Sequence, residues 1–296
     1  MIMKKWRVIR VIHVGLTGWG DHPDIYSKES KSTEKLVDYS SHFPVVELDA
    51  AFYAIQPERN IRKWIRETPD TFQFIVKAYQ GITGHHRGDL PFASTEEMFA
   101  LYKESLAPLV EANKLGMVLV QFPPWFDCQK KYVDYIDEVR ERLQDLPLAI
   151  EFRHQSWYYP EFKEKTLAYL KSHDWIHSVC DEPQAGEGSI PLVPVSTRED
   201  QVLFRLHGRN VHGWRNPGND QKWREVRYLY DYNKKELEEI AQLVKSLEQQ
   251  SKNVTVLFNN NSGGHAANNA KQFMQMLNVE YTGLASKQLD FFEGEW

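Results

Sequence analysis

The stretch Val202-Leu203-Phe204-Arg205-Leu206-His207-Gly208-Arg209 decides how the whole chain reads. Successive side chains of a strand point to opposite faces, so Val202, Phe204 and Leu206 share one face and Arg205, His207 and Arg209 the other. The apolar face suits packing under helices. The charged face suits the interior of a closed barrel that ends in a ligand mouth.

The same unit recurs along the chain. Strand-like runs occupy Val8–Leu16, Val45–Phe52, Phe72–Ala78, Met117–Phe122, Leu148–Phe152, Trp175–Cys180, Val202–Leu206 and Val254–Phe258, each bounded by Gly, Pro, Asp or Asn. Amphipathic segments at Ser94–Lys114, Lys130–Gln144, Pro160–His173, Lys234–Gln250 and Ala266–Leu277 predict helices. Ser94 with Glu97, and Asn233 with Glu236, are N-terminal capping signals. Strand and helix signals alternate from end to end. They predict an α/β fold, a single (β/α)8 TIM-type barrel domain over 1–296. Two irregularities stand out. The Pro- and Gly-bearing segment Pro183–Asp200 predicts a short or irregular sixth helix, and Gly208–Tyr232 is a long loop after strand seven.

Composition removes several classes. A chain of 296 residues with 42% hydrophobic and 13% aromatic residues is not disordered. Its 36 Lys+Arg against 41 Asp+Glu give a net charge of −5, which disfavours nucleic acid as a non-specific partner but leaves room for a local basic mouth. Cys128 and Cys180 are the only cysteines, too few for a disulfide framework or a thiolate zinc site. Lys4, Lys5, Arg7 and Arg10 interrupt the N-terminal apolar pieces, which read as a first strand and not a signal peptide. There is no apolar run long enough to span a membrane, so no membrane partner is expected and a cytoplasmic location is. The chain has no Walker loop, dinucleotide fingerprint, Gly-x-Ser-x-Gly elbow or His-Glu-x-x-His pair, so no cofactor is expected. No metal is expected either, because Arg and Lys at the mouth would repel a cation. The oligomeric state stays open.

Parity assigns the interior. Glu47 and Asp49 oppose Val46 and Leu48, with Tyr53 further along the same face; Lys77 and Tyr79 oppose Val76 and Ala78; Glu151 and Arg153 oppose Ile150 and Phe152; Asn259 and Asn261 oppose Phe258. Gln121 points inward, Asp181 joins the acids, and His13 sits deep. Buried charges must pair, bind something or meet water. The deep members Glu47, Arg205 and His13 suit either a structural ion-pair network or a site, whereas those near strand C-termini suit a ligand. His154 has the opposite parity and reads as packed or capping. The Gly-rich run Phe258–His265 suits either turn chemistry or a phosphate site at a helix N-terminus.

These motifs are similar to those of a known family. Gly15-Leu16-Thr17-Gly18-Trp19, Val46-Glu47-Leu48-Asp49 with Phe52-Tyr53, Gln121-Phe122-Pro123-Pro124, Glu151-Phe152-Arg153-His154 with Trp157, Asp181-Glu182-Pro183, Arg205-Leu206-His207-Gly208-Arg209 and Phe258-Asn259-Asn260 with His265-Ala266 stand in the order seen in the domain of unknown function 72 (YecE-like) family. The resemblance covers about Gly15 to Ala270. It implies a TIM-type barrel of unestablished activity, similar at fold level to endonuclease-IV-type and sugar-isomerase barrels. Leu16-Thr17, Asp49 and Ala50-Ala51 depart from the usual pattern.

The leading expectation is an enzyme for a small phosphorylated or carboxylated ligand. Lys77, Arg153 and Arg209 would bind the anion, and His207 would act as acid/base partnered by Asp181 or Glu151. Gln121 and Asn259 would orient the ligand, and Trp19, Tyr53, Tyr79 and Trp157 would form a stacking wall. The alternatives are a metal-assisted phosphoesterase on nucleic acid and a non-catalytic module for polyanions or single strands. Five Trp residues, Trp19, Trp125, Trp157, Trp214 and Trp223, follow strands on the ligand side.

Overall fold

The computed structural model describes residues 10–26, 30–214, 223 and 226–286. Eight parallel strands close into a barrel in chain order: β1 Val11–Thr17, β2 Val45–Leu48, β3 Gln73–Lys77, β4 Leu115–Gln121, β5 Leu148–Glu151, β6 Ile176–Asp181, β7 Gln201–Leu206 and β8 Asn253–Phe258. All eight expected strands are present. The second, which follows α1 (Lys35–Ser40), is shorter than the apolar run, because the chain turns into α2 (Ala50–Tyr53) directly after it. Tyr53 therefore sits on a helical turn and not on a strand.

The outer helices are α3 Glu58–Arg66, α4 Thr95–Glu111, α5 Lys130–Arg142, α6 Lys163–Ser172, α7 Val211–Trp214, α8 Lys234–Gln250 and α9 His265–Leu277. Their apolar stripes face the strands; on α8, Leu237, Ile240, Ala241, Val244 and Leu247 are all buried. Asn233 closes a full capping box on α8: its Oδ1 accepts from the Glu236 N–H at 3.1 Å, and Glu236 Oε2 accepts from the Asn233 N–H at 2.9 Å. At α4 only half of the box forms, since Ser94 accepts from the Glu97 N–H while Glu97 reaches back to the Ala93 N–H. Between β6 and β7 there is no helix at all, short or irregular. The buried His177 of β6 instead shares hydrogen bonds with Tyr158 (2.9 Å) and with the Val195 carbonyl (2.7 Å), so a loop covers that strand. The long loop after β7 contains α7, with part of it outside the described residues.

Inside the barrel two layers differ. Val45, Ile75, Met117, Leu119, Ala149, Ile176, Leu203 and Leu257 form an apolar floor, separate from the core that packs strands against helices. Gly15 of β1 belongs to this level, where a Cβ would lie 2.1 Å from the Val45 carbonyl oxygen, so only glycine fits. Above the floor, parallel register places Glu47, Lys77, Gln121, Glu151, Ser178, Arg205 and Asn259 toward the C-terminal mouth.

Asn233→Ala removes the acceptor of the α8 box without touching the core. It should cost about 1 kcal/mol and lower Tm by a few degrees, read by thermal unfolding against the parent.

Candidate functional site

An ion-pair chain crosses the barrel above the floor. Arg205, 1% exposed, forks onto Glu47 through Nε (2.8 Å) and Nη2 (2.6 Å), and its Nη1 donates to Glu151 at 2.7 Å. Arg153 Nη1 lies 3.2 Å from Glu151 and 3.2 Å from Glu182. Ser178 and Gln121 also donate to Glu151. Burial alone would raise the Glu151 carboxyl, but Arg205, His207 and Arg153 outweigh it and hold the group well below the usual carboxylate range. Burial pushes Glu47 up to about 7 against the pull of Arg205, and Glu182 up to about 7 against Arg153.

His207 is locked into this chain. Its Nε2 lies 3.3 Å from Arg205 Nη1 and 3.4 Å from Arg153 Nη1, and its Nδ1 lies 2.8 Å from the Asn259 amide nitrogen. The same Nε2 lies 3.5 Å from Glu151 Oε1, so the ring sits between two guanidiniums and a carboxylate. Burial, then Arg205, lowers the ring to about 3. A neutral, fully enclosed imidazole is not a proton carrier poised near neutrality, which corrects the expectation for His207 and gives it a positioning place.

Asp181 and Arg209 leave the site. Asp181 pairs in register with Leu206, whose side faces the helices, and so faces the same way. Arg209 follows Gly208, whose φ of +81° breaks strand alternation, and its guanidinium closes on Asp181 at 2.9–3.0 Å. Tyr232 donates to the same carboxylate at 2.7 Å. Glu182, the next residue, takes the inward position instead.

The mouth opens into a cleft of about 990 Å³. Lys77, Arg87, Arg153, Arg205 and Arg227 line it against Asp21 and Asp49, with Gln121 and Asn259 among the polar groups. Lys77 Nζ lies 3.2 Å from Asp49, and Asp49 and Glu47 hold the ammonium above its ordinary value despite burial. Phe52, Tyr53, Trp125, Trp223 and Tyr228 supply the aromatic wall. Of the expected wall only Tyr53 is there. Trp157 stacks on Phe152 at 4.1 Å and donates to the Phe126 carbonyl, Tyr79 is buried edge-on to Phe92, and Trp19 meets the edge of Trp64. Each follows a strand but turns back into the core. His85, Arg87 and Arg227 were missed because they lie outside the strands, His85 and Arg87 on a loop and Arg227 in a helical turn, where strand parity says nothing.

Two guanidinium donors in this wall, Arg153 Nη2 and Arg227 Nε, are buried without a hydrogen-bond partner. Both guanidiniums lie 4.7 Å from the Trp214 ring. Thr17 Oγ1, beside Glu47 in register, is also buried without one. Among the described residues, Glu151, Cys180 and His207 bring ligand atoms within 4.8 Å of one another, yet the guanidiniums of Arg205 and Arg153 already face them and would repel a dication. Burial also raises the Cys180 thiol well above its ordinary value.

Fold and site together define a TIM-type barrel with a charged cleft at its C-terminal mouth. The chain belongs to the family described as protein of unknown function DUF72, matched across residues 13–290. It is 58% identical over 282 residues to the UPF0759 protein YunF of Bacillus subtilis, covering 95% of this chain and all of that one. It is similar to a solved DUF72 family protein of Enterococcus faecalis, with a TM-score of 0.88 and 41% identity over 95% of this chain and 100% of that one. A Thermotoga maritima DUF72 family structure aligns with a TM-score of 0.77 and 32% identity over 90% of this chain and 99% of that one. No helix among the described residues is long and apolar enough to cross a membrane.

The ordinary histidine value of 6.5 applies in the unfolded chain, while His207 stays neutral to about 3 in the fold. The unfolded state therefore takes up a proton first, and the stability His207 contributes is full above pH 6.5 and lost as pH falls. Between pH 7.5 and 5, His207→Gln should lose roughly 1–2 kcal/mol less stability than the parent in urea titrations. An unchanged pH slope would refute the neutral ring.

Proposed function

We propose that this protein is an enzyme that binds a small anion, phosphorylated or carboxylated, in the cleft at the C-terminal mouth. The observation that carries this reading is the pair of partnerless buried donors on Arg153 and Arg227. A buried donor left unpaired costs about 1–3 kcal/mol, and ligand oxygens between these guanidiniums would remove that cost. At the rim, Lys77, Arg87 and Arg227 face the two carboxylates Asp21 and Asp49, which supports the same sign of charge. Lys77 adds an ammonium, and Gln121 and Asn259 add fixed amides that select an orientation.

The proton carrier has to come from the open wall, because His207 is enclosed. Asp49 reaches the cleft beside Lys77 and is the acceptor this reading favours. His85 also lines the cleft; burial, then Lys77, Arg153 and Arg227, lowers it to about 3, so it serves as a neutral hydrogen-bonding group. Its Nδ1 is fixed by Thr83 at 2.8 Å.

Calorimetric titration with inorganic phosphate and with malonate tests the anion. At least one should bind the parent, and Lys77→Met and Arg227→Gln should each weaken that binding about tenfold or more, with affinity falling as salt rises. Absence of binding by both anions, or affinity indifferent to both substitutions, would overturn the reading.

A further inference from the structure

The cleft is larger than the charged group it is read to bind. Its volume of about 990 Å³ stands at the top of the roughly 300–1,000 Å³ that sites for organic ligands occupy, so an anionic end fills only part of it. The polar atoms that the protein leaves unpaired in the lining decide what faces the remainder.

Two amides of the lining are oriented by their own bonds. Gln121, at the end of β4, donates its side-chain N–H to Glu151, an ionised carboxylate that only accepts. Gln80, just past β3, donates its side-chain N–H to the Tyr53 carbonyl at 3.3 Å. In both, the nitrogen is fixed on an acceptor, and among the described residues neither Oε1 receives a hydrogen bond. Two carboxylates stand with them. Asp21, past β1, has no hydrogen-bond or ion-pair partner among the described residues, and Asp49, past β2, gives one oxygen to Lys77 at 3.2 Å and keeps the other free.

The barrel closes in chain order, so these acceptors follow one another round the mouth from β1 to β4. The partnerless donors belong to the other arc: Arg153 follows β5, and Arg227 lies in the segment after β7. All of them line the same cleft. The site therefore asks a ligand for acceptors at one end and donors at the other. Those donors are neutral ones. The two amides carry no charge, and Lys77 already neutralises Asp49, so a ligand ammonium at that arc would lie against the Lys77 ammonium. A hydroxyl donates without that repulsion.

We infer that the ligand is a polyhydroxylated anion, of the sugar-phosphate or sugar-acid type. Its anionic end meets Arg153 and Arg227, and hydroxyls along its carbon chain donate to Gln80, Gln121, Asp49 and Asp21. This rests on the anion reading above and adds the class of ligand.

The test sets polyols against alkyl anions of the same chain length: sorbitol 6-phosphate against hexyl phosphate, and gluconate against hexanoate. In calorimetric titrations at least one polyol should bind the parent about tenfold more tightly than its alkyl partner, and the pair that shows it distinguishes phosphate from carboxylate. Gln80→Met and Gln121→Met leave the charge unchanged. Each should cut that polyol's affinity about fivefold, while alkyl binding and Tm stay near the parent's. The 6-amino derivative of the alkyl anion should bind no better than the alkyl anion itself. No polyol advantage in either pair, an advantage untouched by both substitutions, or a greater gain from the amine would overturn the hydroxyl assignment and leave the anion site standing. Failure of all four anions to bind the parent would overturn the two readings together.

Discussion

The fork of Arg205 onto Glu47 and Glu151 is the constraint on which the rest of the barrel depends. A guanidinium that is 1% exposed has no water to fall back on, so its partners must be fixed by the strands themselves. Glu47 comes from β2, Glu151 from β5 and Arg205 from β7, three strands spread round the barrel and tied through one side chain. Glu151 then holds Arg153, which reaches Glu182, and both guanidiniums hold the ring of His207. Loss of one carboxylate would leave a buried guanidinium with one of its two partners. The strand register must therefore be correct within a single residue, since a slip by one would send every member of the chain to the helix side.

Carboxylates outnumber guanidiniums in depth, and cations outnumber carboxylates at the rim. Below, three carboxylates answer the guanidiniums of Arg205 and Arg153. Above, Lys77, Arg87 and Arg227 meet only Asp21 and Asp49 in the cleft lining. The chain as a whole carries −5, so the positive mouth is a local feature built from a few loops. Low-dielectric walls concentrate such a field, which is what the proposed anion reading draws on.

Much of this was legible in the sequence, and the limits have physical causes. Period-two alternation found the eight strands and assigned Glu47, Lys77, Glu151, Arg153 and Arg205 to the interior, because a buried sheet with two chemically different faces must alternate. It failed at the ends of three strands. Gly208 carried Arg209 away, the turn after Lys77 buried Tyr79, and Asp181 sat one step out of phase with Cys180, which pairs with Arg205. Counting on from that pair would have found Glu182. Aromatic residues were harder still, since Trp157 and Trp125 both follow strands yet one stacks in the core and the other stands in solvent. Nothing local distinguishes them; packing with distant rings does. His207 was found by parity, but its charge state depends on guanidiniums from two strands, which spacing along one strand does not reveal.

The eight apolar side chains of the floor have a consequence for traffic. They fill the barrel from below, so in the reading proposed above whatever enters between Lys77 and Arg227 leaves by the same mouth. Turnover would then be sequential: departure precedes the next arrival, and the width of the mouth, not the depth of the barrel, sets how large a molecule can be exchanged.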